Sequence, residues 1–326
     1  MECIVNGKII RNNLNAYSRP VAFMVKANAY GHGLKIVDYV DDVVAAYGVA
    51  TEEEGVLLRR STSKPILVTA PNVKNARLIL DAALTPMVSD KEEMARVNDL
   101  ANKPTVVHLK VDSGMGRFGA KRISETVDNA IFAKSLKNVR VKGIATHFSS
   151  YDALFKQVER FSRHIAAAES VTGKLLTHAG SSSTAIATDY DLIRIGYAAY
   201  SNAMKVTSTI AYVKKLKKGE SVGYGERYVA EKPVSVAVVY GGYADGIRTR
   251  SIGYKVLING KRQPIIAVCM DVFMVELSTK AKIGDEVTVI NGEKDVLEMA
   301  KTAGVIPYEV YVGFVGRTKI TYDKRS

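Results

Sequence analysis

Residues 21–33 read Val-Ala-Phe-Met-Val-Lys-Ala-Asn-Ala-Tyr-Gly-His-Gly. Five apolar residues that end in a lysine predict a buried strand, which delivers the Lys26 amine to a protected site. A lysine that loses hydration has a lowered pKa and can act as a nucleophile or a base. Gly31 and Gly33 permit a tight turn, and Tyr30 supplies a hydroxyl one turn after the lysine. The alternative interpretation is a strand-end lysine that reaches solvent.

This apolar run is the first of a series that extends to about residue 200. The runs are Val21–Lys26, Ala45–Ala50, Ile66–Thr69, Pro86–Ser89, Val106–Val111, Gly143–His147, Leu175–His178 and Leu192–Gly196. The segments between them, such as Lys91–Leu100 and Phe155–Val171, carry apolar residues at helical spacing. Strands that alternate with helices in this way predict an α/β fold, a parallel (β/α)8 barrel of the TIM type.

Ionisable residues cluster where these runs end. They are Lys26, Lys110, Asp112, His147, His178 and Arg194. Barrel enzymes build their active sites at the C-terminal ends of the strands, so the sequence places a candidate site there.

The pattern changes after about residue 204, where β-branched runs follow each other closely. These are Val206–Val213, Val234–Tyr240, Tyr254–Ile258, Pro264–Met270 and Glu286–Ile290. Asn259-Gly260 predicts a two-residue hairpin turn, and only Asp295–Ala303 has a helical pattern. We therefore expect a barrel domain at 1–203 and a mostly β domain at 204–326, with which roughly the first ten residues could pair.

Composition limits the classes of protein. The 326 residues include no apolar stretch long enough to span a membrane, and Met1–Asn6 lacks the basic and apolar pattern of a signal peptide. Cys3 and Cys269 give no disulfide framework and indicate free thiols in a reducing cytoplasm. The formal net charge is +13, but the basic runs at 214–218 and 317–325 carry no nucleic-acid motif. This favours a solvated basic surface, which could steer anionic ligands, over nucleic-acid binding.

Three motifs occur in the order known from one family: the Lys26 segment, Gly-Tyr-Ala-Asp-Gly at 242–246 and Cys-Met-Asp at 269–271. Over nearly the whole chain the sequence resembles the alanine racemase family. The resemblance implies an isomerase that depends on pyridoxal 5′-phosphate (PLP) and converts L-alanine to D-alanine for cell-wall peptidoglycan. It also implies two bases, Lys26 and Tyr243, and a cytoplasmic homodimer with shared active sites and neither nucleic-acid nor membrane partner.

The resemblance further assigns roles to individual residues. Those implied to bind PLP are Lys26 (covalently), Tyr30, His147, Ser182, Arg194 (at the pyridine nitrogen), Gly196 and Tyr197. Arg117 and the amide of Met270 are implied to bind the substrate carboxylate. Lys110, at the start of a loop with glycines at 114, 116 and 119, is implied to be carbamylated and to position Arg117. No metal is implied.

The chain departs from the family pattern at two positions. Ser181 stands where the family has asparagine, and Gly316 stands where it has tyrosine before the arginine that matches Arg317. Either Tyr311 or another tyrosine substitutes for it, or the pocket is wider and accepts serine or lysine.

Two further classes of PLP protein compete with a racemase: an amino-acid decarboxylase and a non-catalytic binding protein that consists of a single barrel. The decarboxylase class has a glycine-triplet loop and a cysteine-glutamate motif that we do not find. The non-catalytic class lacks a β domain.

Overall fold

A computed structural model describes residues 1–179 and 189–323. The chain forms two compact units. The barrel unit comprises Arg11–Ala29 and Leu34–Ala199, and the C-terminal unit comprises Met1–Ile10, Tyr30–Gly33 and the chain from Tyr200 onward.

After strand β1 (Glu2–Val5) and helix α1 (Gly7–Asn15), eight parallel strands close a barrel. They are β2 (Val21–Met24), β3 (Ala46–Val49), β4 (Ile66–Val68), β5 (Thr85–Val88), β6 (Thr105–Lys110), β7 (Val139–Ala145), β8 (Leu176–Ala179) and β9 (Leu192–Ile195). Each strand pairs with the next in the sequence, and β9 pairs with β2. The predicted (β/α)8 barrel is confirmed, because each of the eight apolar runs contributes one strand.

The described helices around this barrel follow their strands. The short segment α2 (Lys26–Tyr30) has left-handed backbone angles. The helices are α3 (Val37–Val40), α4 (Glu52–Arg59), α5 (Ala76–Asp81), α6 (Lys91–Leu100), α7 (Ile123–Ser135), α8 (Leu154–Thr172) and α9 (Tyr197–Tyr200). Asp90 caps α6 by accepting the amide of Glu93 at 3.0 Å, which fixes the start predicted at Lys91. No helix in the described part of the chain has both the length and the apolar character to cross a membrane.

The C-terminal unit is an eight-stranded sheet in the order β13-β16-β15-β14-β17-β10-β1-β18, with a two-stranded β11-β12 ribbon. These strands are β10 (Met204–Leu216), β11 (Ser221–Val222), β12 (Tyr228–Val229), β13 (Val234–Tyr240), β14 (Lys255–Ile258), β15 (Lys261–Val268), β16 (Val272–Leu277), β17 (Glu286–Asn291) and β18 (Lys319–Tyr322). The N-terminal β1 lies between β10 and β18.

Two features of this unit compare directly with the sequence pattern. Asn259 and Gly260 have φ of 48° and 77° and join β14 to β15, as the predicted hairpin requires. A second helix, α11 (Pro307–Tyr311), follows α10 (Glu293–Ala303), so the expectation of a single helix here was wrong. Proline is favoured at the start of a helix, but the five residues of α11 are too few to show a helical period.

Candidate active site

The C-terminal ends of the barrel strands carry the predicted ionisable residues. Lys26 follows β2, Lys110 ends β6, His147 follows β7, His178 lies in β8 and Arg194 lies in β9. All are buried or half-buried. In a parallel barrel these ends share one rim, so the fold gathers these side chains at one end of the barrel unit.

Asp112 differs from these residues because its carboxylate accepts hydrogen bonds from the backbone of the loop that follows β6. It accepts the amides of Gly114 and Gly116, each at 2.9 Å. The acid therefore shapes the glycine loop after β6.

Four cations lie close enough to influence one another at this rim. Burial, and next the positive charge of Arg117, lower the pKa of Lys26, while Glu54 opposes the shift and Arg194 adds to it. Burial, followed by Arg194 and Arg117, lowers the pKa of Lys110 to about 8. Like charges held together in a poorly solvated place repel each other, and an anionic ligand would relieve that repulsion.

Arg194 begins a buried chain of hydrogen bonds. Its Nη1 lies 3.0 Å from Nδ1 of His178, whose Nε2 lies 2.8 Å from Nδ1 of His108. A guanidinium can only donate, so His178 accepts at Nδ1, carries its proton on Nε2 and donates to His108. Burial, and next the charge of Arg194, lower the pKa of both histidines, that of His108 to about 4. Both rings are therefore neutral, and the chain holds Arg194 without cancelling its charge.

The missing side chain of Gly143 in β7 leaves room for the His108 ring on the neighbouring strand β6. A Cβ on Gly143 would lie 2.8 Å from the His108 ring, so only glycine fits beside it. The sequence did not indicate a role for His108, because a single histidine inside an apolar strand predicts only a buried polar residue.

His147 is also held neutral. Burial, with Arg194 and Arg117 next in size, lowers its pKa to about 3. The preceding residue, Thr146, accepts a hydrogen bond from Arg194 through its carbonyl, and its hydroxyl lies 2.8 Å from that of Ser113. Thr146 thus links the arginine to the glycine loop, a role that the sequence did not indicate.

Lys110 is fixed by two contacts. Its amine donates to the carbonyl of Thr69 and lies 4.4 Å from the centre of the Phe118 ring. The loop returns to the strand where Ala120 donates to the carbonyl of Lys110 at 2.9 Å. Arg117 lies exposed on that loop.

The segment after Lys26 has an unusual backbone. Ala27, Asn28, Ala29 and Tyr30 have φ of 53°, 53°, 54° and 52° and form a left-handed turn. Non-glycine residues in this region cost roughly 1–2 kcal/mol each. The sequence predicted a turn only at the glycines that follow, so the left-handed conformation begins four residues earlier than expected. Such strain persists only where the surroundings impose it, and it clusters at functional sites.

Within the C-terminal unit, the two family motifs come together. The amide of Tyr243 donates to the carbonyl of Cys269 at 3.0 Å, and that of Ala244 to Met270 at 3.2 Å. A Cβ on Gly242 would lie 2.2 Å from the carbonyl oxygen of Cys269, so glycine alone permits this approach. Tyr243 and Met270 are 46% and 51% exposed, which leaves both available for contact.

An ion cluster fixes the turn that carries Tyr243. Arg317 donates to both oxygens of Asp245, at 3.1 and 2.8 Å, and to Asp271 at 2.8 Å. Asp245 also accepts the amide of Gly242 at 3.0 Å. The two carboxylates raise the pKa of Arg317. The sequence showed Arg317 as the start of a basic tail and as the match to a family arginine, but it did not show that its partners are the aspartates of the two motifs.

The residues assigned to phosphate are only partly described. Gly196 follows β9, Tyr197 opens α9, and the amide of Ala199 donates to Gly196 at 2.9 Å. The Tyr30 ring packs against that of Tyr200, with centres 5.1 Å apart. Ser181 and Ser182 lie outside the described residues. In the two stretches that the structure describes, no group of three or more histidine, cysteine, aspartate or glutamate side chains could hold a metal ion.

Comparison with known proteins identifies relatives over the whole chain. The family model "Alanine racemase, N-terminal domain" matches residues 5–203, and "Alanine racemase, C-terminal domain" matches 203–322. An alanine racemase from Pediococcus pentosaceus is 30% identical and covers 99% of this chain and 96% of its own length. One from Streptococcus equi subsp. zooepidemicus is 34% identical over 88% of this chain and 87% of its own length.

Solved structures show the same similarity. The alanine racemase from E. faecalis superposes with a TM-score of 0.91 at 30% identity, and 99% of this chain and 98% of that one are covered. The alanine racemase of Clostridium difficile 630 gives a TM-score of 0.92 at 26% identity, with 99% and 95% covered.

Proposed function

The chain belongs to the alanine racemase family, and we propose that it interconverts L- and D-alanine with PLP as its cofactor. The observation that carries the proposal is the set of four cations, Lys26, Lys110, Arg117 and Arg194, that influence one another at the rim. PLP and the substrate carboxylate are anions that suit such a set, and a lysine of lowered pKa is the amine that PLP chemistry requires.

An amine together with hydroxyl and amide donors suits the aldehyde and the phosphate of PLP. We assign its attachment to Lys26 and its phosphate to Tyr30, Ser182 and the amides near Gly196 and Tyr197. When bound, PLP supplies an electron sink that makes the substrate α-hydrogen acidic.

Arg194 is assigned to the pyridine nitrogen. A buried guanidinium cannot accept a proton from that nitrogen, so it disfavours a charged ring and limits the strength of the sink. His178 and His108 hold Arg194 in place without supplying a compensating negative charge. This arrangement suits a racemase because a weaker sink gives less opportunity for transamination.

Racemisation needs a base on each face of the α-carbon. We assign these roles to Lys26 and Tyr243. The tyrosine needs help to lose its proton at neutral pH, and we propose that His147 and Arg194 provide it. Arg117, through its paired N–H groups, and the amide of Met270 would bind the substrate carboxylate.

As the family resemblance implies, we propose that Tyr243 acts in the site of a partner subunit. The protein would then be a homodimer with shared sites, each built from a PLP-binding barrel domain (1–203) and a C-terminal β domain (204–326). Its product would supply D-alanine for peptidoglycan in the cytoplasm.

Lys110 is proposed to carry a carbamate. Carbon dioxide adds to a neutral amine, forming a nitrogen–carbon bond and releasing one proton. The pKa of about 8 makes the neutral amine available near neutral pH. The resulting anion would lie among the cations of the rim and pair with Arg117. A ¹³C NMR signal from protein incubated with labelled bicarbonate, absent in Lys110→Ala, would test this.

The direct test of the function is a chiral assay in deuterium oxide. A racemase scrambles the α-carbon and incorporates deuterium without releasing carbon dioxide. A decarboxylase would release it, and a non-catalytic PLP-binding protein would leave both enantiomers unchanged. Either of those results would overturn the proposal.

A broader substrate range is the second candidate, and one observation favours it. Apart from Gly316 and its two chain neighbours, no heavy atom of the described residues lies within 4 Å of the position that a Cβ on Gly316 would take. Rates with alanine, serine and lysine, compared between the wild type and Gly316→Tyr, would decide between narrow and broad specificity. A broad enzyme should lose activity towards the larger substrates in the variant.

A further inference from the structure

Glu54 joins the ends of two barrel strands. Helix α4 begins with Thr51-Glu52-Glu53-Glu54, in which Thr51 accepts the amide of Glu54 at 3.4 Å. In a capping box the glutamate would return to the amide of Thr51. Here its two oxygens accept the amides of Ala50, after β3, at 2.8 Å and of Ala27, after β2, at 2.7 Å.

Ala27 is the first residue of the left-handed turn and directly follows Lys26. Further along, the amide of Ala29 donates to the carbonyl of Val25 at 2.8 Å, and Asn28 accepts the amide of Leu34 at 3.2 Å. The first of these bonds closes the backbone from Val25 to Ala29 across the peptide that joins Lys26 to Ala27, and the second lies beyond that peptide. The Glu54 carboxylate is the side chain that holds that peptide.

We propose that Glu54 is a positioning residue for Lys26, because its carboxylate fixes the left-handed turn that determines where the lysine amine lies. The inference rests on the proposed function, in which Lys26 carries the cofactor and acts as a base. Glu54 acts through the amide of Ala27 and is assigned no contact with reacting atoms.

A carboxylate suits this place for two reasons. Both of its oxygens accept, and both neighbours are N–H groups, whereas a glutamine would turn its own NH2 towards one of them. The negative charge also opposes the lowering of the Lys26 pKa by burial and by the two arginines. Glu54→Gln therefore removes one anchor and one charge without changing the size of the side chain. Glu54→Asp keeps the charge but shortens the reach.

The experiment compares these two variants with Glu53→Gln. Glu53 is the exposed neighbour in the same helical turn, and its carboxylate accepts from the side chain of Asn75 at 2.7 Å. Two measurements use the apoprotein: competitive labelling of the Lys26 amine against pH, and amide hydrogen exchange of the segment 25–31. Circular dichroism confirms that each variant is folded.

We expect Glu54→Gln to lower the pKa of Lys26 and to speed exchange of the segment, and Glu53→Gln to change neither. In the holoenzyme, kcat should fall about 10- to 100-fold with little change in KM, as for a misplaced reacting group. Glu54→Asp should be intermediate. With α-deuterated substrates, the isotope effect should rise for one enantiomer only, because one of the two proton transfers uses Lys26.

The inference would be overturned if Glu54→Gln had the same Lys26 pKa and the same amide exchange of segment 25–31 as the wild type, whatever its activity. Equal changes in Glu54→Gln and Glu53→Gln would also overturn it. If the wild type proves not to racemise alanine, the proposed function fails, while the two apoprotein measurements still decide whether Glu54 positions Lys26.

Discussion

The two units surround their clustered cations in opposite ways. In the barrel unit, Lys26 and Lys110 lie near two arginines, and their pKa values are lowered. In the C-terminal unit, Arg317 meets two carboxylates and its pKa is raised. The cation of the C-terminal unit is paired with carboxylates, and this cluster stabilises the turn that carries Tyr243. The cluster of the barrel unit has more cations than anions, and this excess of positive charge is the reason that we propose it as the place where an anionic ligand binds.

The backbone shows the same contrast. The residues after Lys26 hold a left-handed turn that glycine would adopt more easily, whereas Tyr243 lies on a turn made compact by Gly242 and the Asp245 carboxylate. Strain is therefore concentrated beside the lysine. Substitutions in each unit can test whether cofactor attachment depends on the barrel unit and one proton transfer depends on the C-terminal unit.

The largest effect is expected from Lys26→Ala. Loss of the amine should abolish fixation of PLP by borohydride and lower racemisation by more than the roughly 10²–10⁴-fold that one base contributes. Absorbance, mass spectrometry and peptide mapping would measure this. The control is Lys110→Ala, in which fixation at Lys26 should persist. Mapping of PLP to Lys110 in the wild type would refute the assignment.

Tyr243→Phe tests the contribution of the C-terminal unit. Racemisation should fall by roughly 10²–10⁴-fold while PLP stays attached, because one proton transfer is lost and the lysine remains. Mixing this variant with Lys26→Ala should restore part of the activity if the subunits exchange, since a mixed dimer holds one site with both bases. Near-normal activity of Tyr243→Phe contradicts the two-base scheme, and failed complementation despite proven exchange contradicts the shared site.

Arg194→Glu tests whether the positive charge of Arg194 in the barrel unit acts on the ring of the cofactor. A carboxylate at the ring nitrogen would favour its protonated form and a stronger electron sink. The cofactor spectrum should change, and pyruvate formed per racemisation event should increase. Arg140→Glu, an exposed arginine of β7, is the control and should change neither. An unaltered spectrum and unaltered partitioning in Arg194→Glu would show that Arg194 does not face the ring.

The strands could be predicted from the sequence where all their side chains are buried, and less well where buried and exposed side chains alternate. β7 begins at Val139, but the sequence indicated only its second half, since Arg140 and Lys142 face solvent and interrupt the apolar run. β18 was missed because its charged and hydroxylated residues resemble a basic tail. Period-two patterns of this kind are weak signals over four residues.

The candidate site was predictable in the same uneven way. Lys26 was visible because a cation at the end of an apolar run is unusual. Glu54 was not, because it binds backbone amides, which any sequence supplies. His108 and Arg317 depend on partners distant in sequence, so only the folded chain reveals their roles.

A smaller effect concerns the pH dependence of apoprotein stability. His147 has a pKa of about 3 when folded and an ordinary value near 6.5 when unfolded, so the unfolded chain binds more protons between these values. Its contribution to stability is therefore complete above pH 6.5 and is lost as the pH falls towards 3. In His147→Gln, the slope of the unfolding free energy should be shallower by up to about 1.4 kcal/mol per pH unit near pH 5. Identical slopes in denaturant titrations would show that His147 is not buried in its neutral form.

The smallest effect is expected in the cluster of Arg317 with Asp245 and Asp271, where the cation is paired with carboxylates. Arg317 and Asp271 are both more than half exposed, at 55% and 63%, so Asp271→Asn should change racemisation by less than about fivefold and scarcely alter the melting temperature. Asp245 is only 9% exposed and holds both Arg317 and the amide of Gly242, so Asp245→Asn should lower kcat more strongly. In neither variant should borohydride fixation at Lys26 change, because the cluster serves the tyrosine turn. If Asp271→Asn abolished PLP attachment, this cluster would belong to the cofactor site, and the division between a paired cation and an excess of cations would fail.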